Sequence, residues 1–131
     1  MGQQQLLLIV LGVIIVGIAI VVGINLFNAN AEESTKDTIV SEGTNLGAMA
    51  QQYYKKPTAM GGGGNSFAGF VPAKVSSKLT DTPTTDWNWT DPSNATSFVM
   101  TGTPKDADYK TKWKIQVTVT KDSIISTVVN L

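Results

Sequence analysis

The chain has 131 residues, 42% of them hydrophobic, and its ten lysines are balanced by ten acidic residues, with no Cys, His or Arg. These absences exclude zinc sites of Cys and His, thiolate nucleophiles, Ser-His-Asp triads and disulfides. We therefore predict that the protein is not an enzyme and holds no metal or cofactor. Without arginine or excess positive charge, no nucleic-acid partner is expected.

A long apolar run lies near the start of the sequence. Residues 6–24 carry no polar side chain, and all but four of them are Leu, Ile or Val. As a helix this run rises about 28 Å, which matches a membrane hydrocarbon core of about 30 Å. Each large side chain left in water costs roughly 1.5–3 kcal/mol. We predict a hydrophobic, membrane-spanning helix over residues 1–31.

Four small residues interrupt this run, namely Gly12, Gly17, Ala19 and Gly23. In a helix, Gly12, Ala19 and Gly23 return to nearly the same face. A stripe of small residues lets a second helix approach closely in a membrane. We predict subunit packing at these four positions, although glycines are also common in membrane helices generally.

A cleaved secretory signal is the alternative interpretation of the same run. Ala29-Asn30-Ala31 offers the small-x-small pattern of a cleavage site. The residues before the run lack a basic group, and the run is longer than the usual apolar segment of roughly 7–15 residues. A membrane helix is therefore favoured over cleavage near Ala31.

A helical pattern of apolar residues continues through residues 32–56. The pattern has intervals of seven, four and three residues, at Ile39, Leu46, Ala50 and Tyr53. We predict an amphipathic helix that continues the first one and ends before Pro57, because a proline disfavours the helical conformation of its predecessor. Ile39 and Leu46 join the four small residues as predicted subunit-packing positions.

Residues 57–131 are predicted to form a loop-rich β head. Its four consecutive glycines, residues 61–64, follow a helix and precede no Gly-Lys-Ser or Gly-Lys-Thr, so they indicate a hinge or turn rather than a phosphate-binding loop. Residues 113–120 alternate apolar and polar side chains, as a half-buried strand does. Further strands are predicted at residues 96–101 and 123–131. Together they form a small antiparallel sheet against the amphipathic helix, an α+β fold.

Residues 76–96 are rich in Ser, Thr, Asp and Pro and are predicted to be loop. Trp87 and Trp89 point to the same side if this segment is extended. They are a candidate surface contact for sugars or another subunit, with covering of a small sheet as the alternative. Asn88 and Asn94 each begin a glycosylation sequon.

The order of these parts resembles that of a type IV pilin or pseudopilin. In residues, the resemblance is confined to the apolar run, where Val13-Ile14-Ile15-Val16-Gly17-Ile18-Ala19-Ile20 looks like the hydrophobic helix of that family. The sequence differs from the family in having Gln5, with no nearby glutamate, and no Cys pair. The family's peptidase would cut after Gly2, unless Met1 is already the mature start.

The resemblance implies a structural subunit of an extracellular filament, with residues 1–31 in the filament core. Its partners would be further copies of itself, the membrane before assembly, the pilus assembly machinery and a prepilin peptidase. It would be membrane-anchored first and then lie at the cell surface. The alternatives are a monomeric membrane-anchored adhesion head that binds through Trp87 and Trp89, and a secreted β protein cleaved near Ala31.

Charge sign is segregated along the sequence although the net charge is zero. Acidic residues concentrate near the neck, whereas lysines concentrate in the C-terminal sheet. We expect the head of one subunit to meet the neck of another through these charges, with an ordinary solvated surface as the alternative. The residues are Glu32, Glu33, Asp37 and Glu42 in the neck, and Lys105, Lys110, Lys112, Lys114 and Lys121 in the sheet.

Overall fold

The structure is a computed structural model that describes residues 2–92 and 96–131. The chain divides into two compact units, of which the first ends at Ser34 and the second is Thr35–Leu131. A single helix, α1 (Gly2–Lys55), contributes residues to both units. This confirms the prediction of one long helix that ends before Pro57.

The second unit combines the end of α1 with a four-stranded antiparallel sheet, so the predicted α+β class is confirmed. The strands pair in sequence order, β1-β2-β3-β4. Two 3₁₀ turns and a short helix lie between α1 and the first strand, and a second short helix lies between the second and third strands. In chain order the elements after α1 are 3₁₀ turns at Thr58–Met60 and Pro72–Lys74, α2 (Ser77–Thr80), β1 (Thr85–Asn88), β2 (Ser97–Pro104), α3 (Ala107–Lys110), β3 (Trp113–Thr120) and β4 (Ile124–Asn130).

The predicted strands β2, β3 and β4 are present, and β3 has the alternation that the sequence indicates. Every second residue of β3, from Trp113 to Val119, is buried. Side chains directly opposite each other share a face of an antiparallel sheet, so Phe98 beside Val119 extends the same apolar face into β2. One face of the sheet is therefore apolar and buried, whereas the other is mostly polar and leaves Val99 and Ile125 exposed.

The sequence analysis was wrong about part of residues 76–96, where β1 lies. The composition of residues 76–96, rich in Thr, Asp and Pro, is typical of loops. The strand forms because its inward side chains, Thr85 and Trp87, are buried and its backbone pairs with β2, Trp87 opposite Gly102. Tertiary packing thus overrides local propensity at this edge of the sheet.

The core of the second unit lies between α1 and the apolar face of the sheet. Ile39, Leu46 and Ala50 of α1 are buried in one cluster with the inward side chains of the strands. Two glycines of α1 allow the close approach. A Cβ atom at Gly43 would lie 2.6 Å from both Trp87 and Val117, and one at Gly47 would lie 3.0 Å from Ile124. The apolar face of α1 therefore packs against its own sheet.

The four glycines at residues 61–64 form a tight cap on the C-terminal end of α1. The last carbonyl groups of a helix have no partner within the helix. Here the amide groups of residues 63–65 reach back to three of them, which satisfies these acceptors. Gly63 donates to the Tyr53 carbonyl at 2.8 Å, Gly64 to Lys56 at 2.9 Å and Asn65 to Tyr54 at 2.7 Å.

Steric demands explain why this cap needs glycine. A Cβ atom at Gly63 would lie 1.9 Å from the Ser66 carbonyl oxygen, and one at Gly62 would lie 2.3 Å from the Lys56 oxygen. Gly64 also has a positive φ of 58°, which disfavours other side chains. The predicted turn is therefore present, and each glycine that touches the helix end is needed for the loop to close on it.

Candidate functional site

The first unit exposes an extended apolar surface. From Leu6 to Phe27, each Leu, Ile, Val and Phe side chain is between 52% and 72% exposed. This stretch belongs to the one helix of the described residues that is long and apolar enough, by length and composition, to cross a membrane. It could therefore anchor the protein in a membrane.

The small residues of this helix have room beside them. A Cβ atom added at Gly12, Gly17 or Gly23 would meet no other atom within 4 Å, and Ala19 is exposed. The described chain thus places nothing against these four positions. Packing of another helix there remains a prediction.

Ile39 and Leu46 have a different place from the other predicted packing positions. Both are almost fully buried, with 0% and 1% of their surfaces exposed, and both belong to the core of the second unit. Since their surfaces are already covered by the same chain, the prediction that they pack between subunits is wrong. The helical spacing correctly marked them as apolar-face residues but could not tell which partner covers that face.

Trp87 is held inside the second unit by two glycines and a carboxylate. Its indole lies against Gly43 of α1 and against Gly102 of β2, where a Cβ atom would come within 2.8 Å of the ring. Its Nε1 donates a hydrogen bond of 3.2 Å to Glu42 Oε2. The side chain is 2% exposed.

Glu42 is the centre of a polar cluster that sequence reasoning missed. Besides Trp87, the carboxylate accepts hydrogen bonds from Thr82 Oγ1 at 3.1 Å and Thr84 Oγ1 at 2.9 Å. Thr82 also receives a bond from the Thr85 backbone amide. The cluster fastens the segment before β1 to the part of α1 that lies in the second unit. No local pattern indicates it, because Glu42 lies 40 positions or more from each residue that donates to it.

Trp89 is buried in an aromatic cluster beside this site. Its ring stacks on Phe70 with centroids 5.4 Å apart, and its Nε1 donates to the Phe70 carbonyl at 2.8 Å. Trp87 and Trp89 do share one face, as predicted, but that face points into the core. The prediction that they form a surface contact is therefore wrong, and the alternative that they cover the sheet holds.

The two predicted glycosylation positions have different outcomes. Asn88 is exposed at the end of β1, and Thr90 of the same sequon is exposed as well. Its side chain is thus accessible, while glycosylation itself stays a prediction. Asn94 lies outside the described residues.

Two of the charges proposed for the contact between subunits are engaged within the second unit. Glu42 is in the cluster with Thr82, Thr84 and Trp87. Lys105 forms an ion pair with Asp81. At least one group on each side of the expected contact between neck and sheet is therefore engaged, and the contact itself stays a prediction.

Among the described residues, no group of three or more acids stands close enough to hold a metal ion.

Comparison with known proteins gives no relative for this chain. No family model, no curated protein and no solved structure matches it. Its class is therefore defined by the architecture alone: a long helix with an exposed apolar N-terminal part, and an α+β unit in which the rest of that helix packs on a four-stranded antiparallel sheet.

Proposed function

We propose that the protein is the structural subunit of a type IV pilus-like extracellular filament, assembled through residues 1–31. The observation that supports this is the continuous exposure of the large apolar side chains between Leu6 and Phe27. Such a surface must be covered by lipid or by protein, since leaving it in water costs roughly 1.5–3 kcal/mol per large side chain. In a filament subunit, lipid would cover this surface before assembly and neighbouring subunits would cover it afterwards.

In this proposal the apolar helix is stored in the membrane before assembly. It then moves into a bundle of identical helices, while the second unit faces outward. A patch that binds a different patch on the next copy produces an open helical fibre when the rotation does not close. Gly12, Ala19 and Gly23 would let neighbouring helices approach closely. The assembly machinery and a prepilin peptidase are implied by the resemblance to pilins.

The second candidate is a monomeric membrane-anchored head, which the same apolar helix favours. Its proposed contact at Trp87 and Trp89 is removed by their burial. Secretion after cleavage near Ala31 is the third candidate, and it would discard the apolar surface altogether.

The test is negative-stain microscopy of material sheared from the surface of cells that make the protein, compared with cells that lack it. The proposal expects filaments only in the first sample. Mass spectrometry of the sheared material should find the chain with residues 6–24 retained. Absence of filaments, or a chain that begins near residue 32, would contradict the proposal.

A further inference from the structure

Charge sign is also segregated within the second unit, at the end where α1 stops. Between Glu42 and Asp81 the chain contains four lysines and no acidic residue. All four lysines are exposed, and they are Lys55, Lys56, Lys74 and Lys78. This stretch of the sequence is therefore positively charged although the whole chain is neutral.

A groove of about 240 Å³ lies among these lysines. The last turn of α1 contributes Tyr53, Lys56 follows directly after it, and the segment after the glycine cap contributes Phe70 and Lys74. A lysine therefore stands on each wall, and aromatic rings line the space between them. The two ammonium groups suit a segment that carries acidic side chains.

The walls of the groove are held in place by contacts of their own. Tyr53 donates a hydrogen bond of 3.0 Å from its hydroxyl to the Ala68 carbonyl, and its ring lies 5.3 Å from that of Phe70. Lys74 Nζ stands 5.3 Å from the centre of the Tyr53 ring. The glycine cap fixes the helix end beside them. A preformed groove loses little conformational freedom when it binds.

We infer that this groove binds the acidic run of α1, residues 32–37, of a neighbouring copy of the chain. The inference rests on the proposed function, because a filament supplies the neighbour. The run carries three acids and one lysine, and Glu33 and Asp37 are exposed. Its sign is opposite to that of the groove, and complementary charge sets partner and register.

The contact has to form between copies. Asp37 and Tyr53 lie in the part of α1 that belongs to the second unit, about 24 Å apart at about 1.5 Å per residue, so Asp37 does not reach the groove of its own chain. Each copy offers one run and one groove at different places. A contact of this kind repeats from copy to copy and produces an open polymer, as the filament requires.

Cysteine cross-linking of the full chain in cell membranes tests the contact, and the natural chain has no Cys to interfere. Ser41→Cys lies one helical turn from Asp37, and Ala73→Cys is next to Lys74, so both acid and lysine are kept. Both positions are exposed. Oxidation of the double variant should give a ladder of multimers on a non-reducing gel, several-fold stronger than that of a matched control with Ser41→Cys and Thr111→Cys.

Charge reversal in the double variant then tests the chemistry. Lys74→Glu should remove most of the ladder, and adding Asp37→Lys should restore it. A ladder no stronger than the control, products that stop at a closed dimer, a ladder that survives Lys74→Glu, or a failure of Asp37→Lys to restore it would each overturn the inference. A foreign acidic partner in the groove would likewise leave no ladder.

The same samples separate this contact from the proposed function. Microscopy of sheared material reports whether filaments exist, whereas cross-linking reports whether the groove meets the acidic run. A ladder in membranes of cells that shed no filaments would keep the contact and refute the filament. Filaments without a ladder would keep the filament and refute the contact.

Discussion

At the scale of single residues, Glu42 joins three parts of the second unit. Its carboxylate accepts hydrogen bonds from the segment before β1 and from β1 itself. These bonds fix both segments to α1. A hydrogen bond to a charged group contributes about 1.5–3 kcal/mol, and a donor left without its acceptor in a buried place costs a similar amount. Thr82 and Trp87 are both buried donors.

We therefore expect Glu42→Ala to lower the free energy of unfolding of the second unit by about 1.5–3 kcal/mol. Thermal unfolding of the full chain in detergent micelles, followed by tryptophan fluorescence, measures the change. Ser41→Ala is the matched control, since Ser41 is the exposed neighbour on the same helix and should change stability by less than about 0.5 kcal/mol. Equal midpoints for the two variants would contradict the proposed role of Glu42.

Gly43 is the second residue whose identity the packing dictates. A helix normally gains up to about 1 kcal/mol when glycine is replaced by alanine. Here the new methyl group would lie 2.6 Å from Trp87 and from Val117. We expect Gly43→Ala to destabilise the second unit by about 1–3 kcal/mol, because overpacking exceeds the gain in propensity.

The same thermal unfolding experiment checks this prediction. Gly12→Ala is its control, because a methyl group there meets open space in the same helix. Gly12→Ala should leave the tryptophan transition unchanged. A higher thermal unfolding midpoint for Gly43→Ala would contradict the close packing of α1 against the sheet at this position.

At the scale of elements, the glycine cap determines how α1 ends. Gly63→Ala would force a methyl group to within 1.9 Å of the Ser66 oxygen, so the loop must move and release the helix carbonyls. We expect amide exchange of residues 63–65 to quicken about 10–100-fold, which corresponds to roughly 1–3 kcal/mol of lost local stability. Hydrogen exchange with mass spectrometry measures it.

Gly61→Asn separates strain from steric conflict in this prediction. Gly61 has a φ of 84° but open space beside it, and asparagine tolerates positive φ better than most residues. The cap should therefore keep its protection in Gly61→Asn. Equal loss of amide protection at residues 63–65 in Gly63→Ala and Gly61→Asn would indicate that the loop needs the flexibility of glycine rather than the space beside Gly63.

The apolar part of α1 carries the second prediction at this scale. If neighbouring helices approach along the small residues, Ala19→Leu and Gly23→Leu should reduce filament yield more than Val21→Leu does. All three variants keep the segment apolar enough to enter a membrane. Filaments counted in sheared material provide the measurement. Equal yields from the three variants would remove any special role for the small residues.

At the scale of the whole molecule, the two units differ in what their apolar side chains contact. The core residues of α1 and the sheet all lie within Thr35–Leu131, whereas the exposed apolar surface of α1 lies within residues 6–27. Folding of the second unit therefore does not draw on the burial of the first. Assembly, in the proposal, depends on the first.

We expect deletion of residues 1–31 to give a soluble, monomeric protein whose tryptophan unfolding transition matches that of the full chain to within about 1 kcal/mol. Light scattering reports the mass, and fluorescence reports the transition. Fibres of the same diameter and helical symmetry from the truncated chain would show that assembly does not use the N-terminal helix.

The sequence by itself determined the elements whose signal is local. The apolar run and the spacing of Ile39, Leu46, Ala50 and Tyr53 predicted one helix, which the structure has as Gly2–Lys55. The alternation from Trp113 to Thr120 predicted β3, and similar patterns predicted β2 and β4. Each of these segments repeats its own period, so no distant residue is needed to recognise it.

Only the tertiary structure decided what the remaining residues contact. β1 forms because Trp87 fits between Gly43 and Gly102, which are 59 positions apart in the sequence, while Trp89 is turned inward by its contacts with Phe70. The Glu42 cluster and the glycine cap likewise join residues that no single period links. Contacts between distant segments depend on how surfaces match in three dimensions, and a local pattern carries no information about the surface that will meet it.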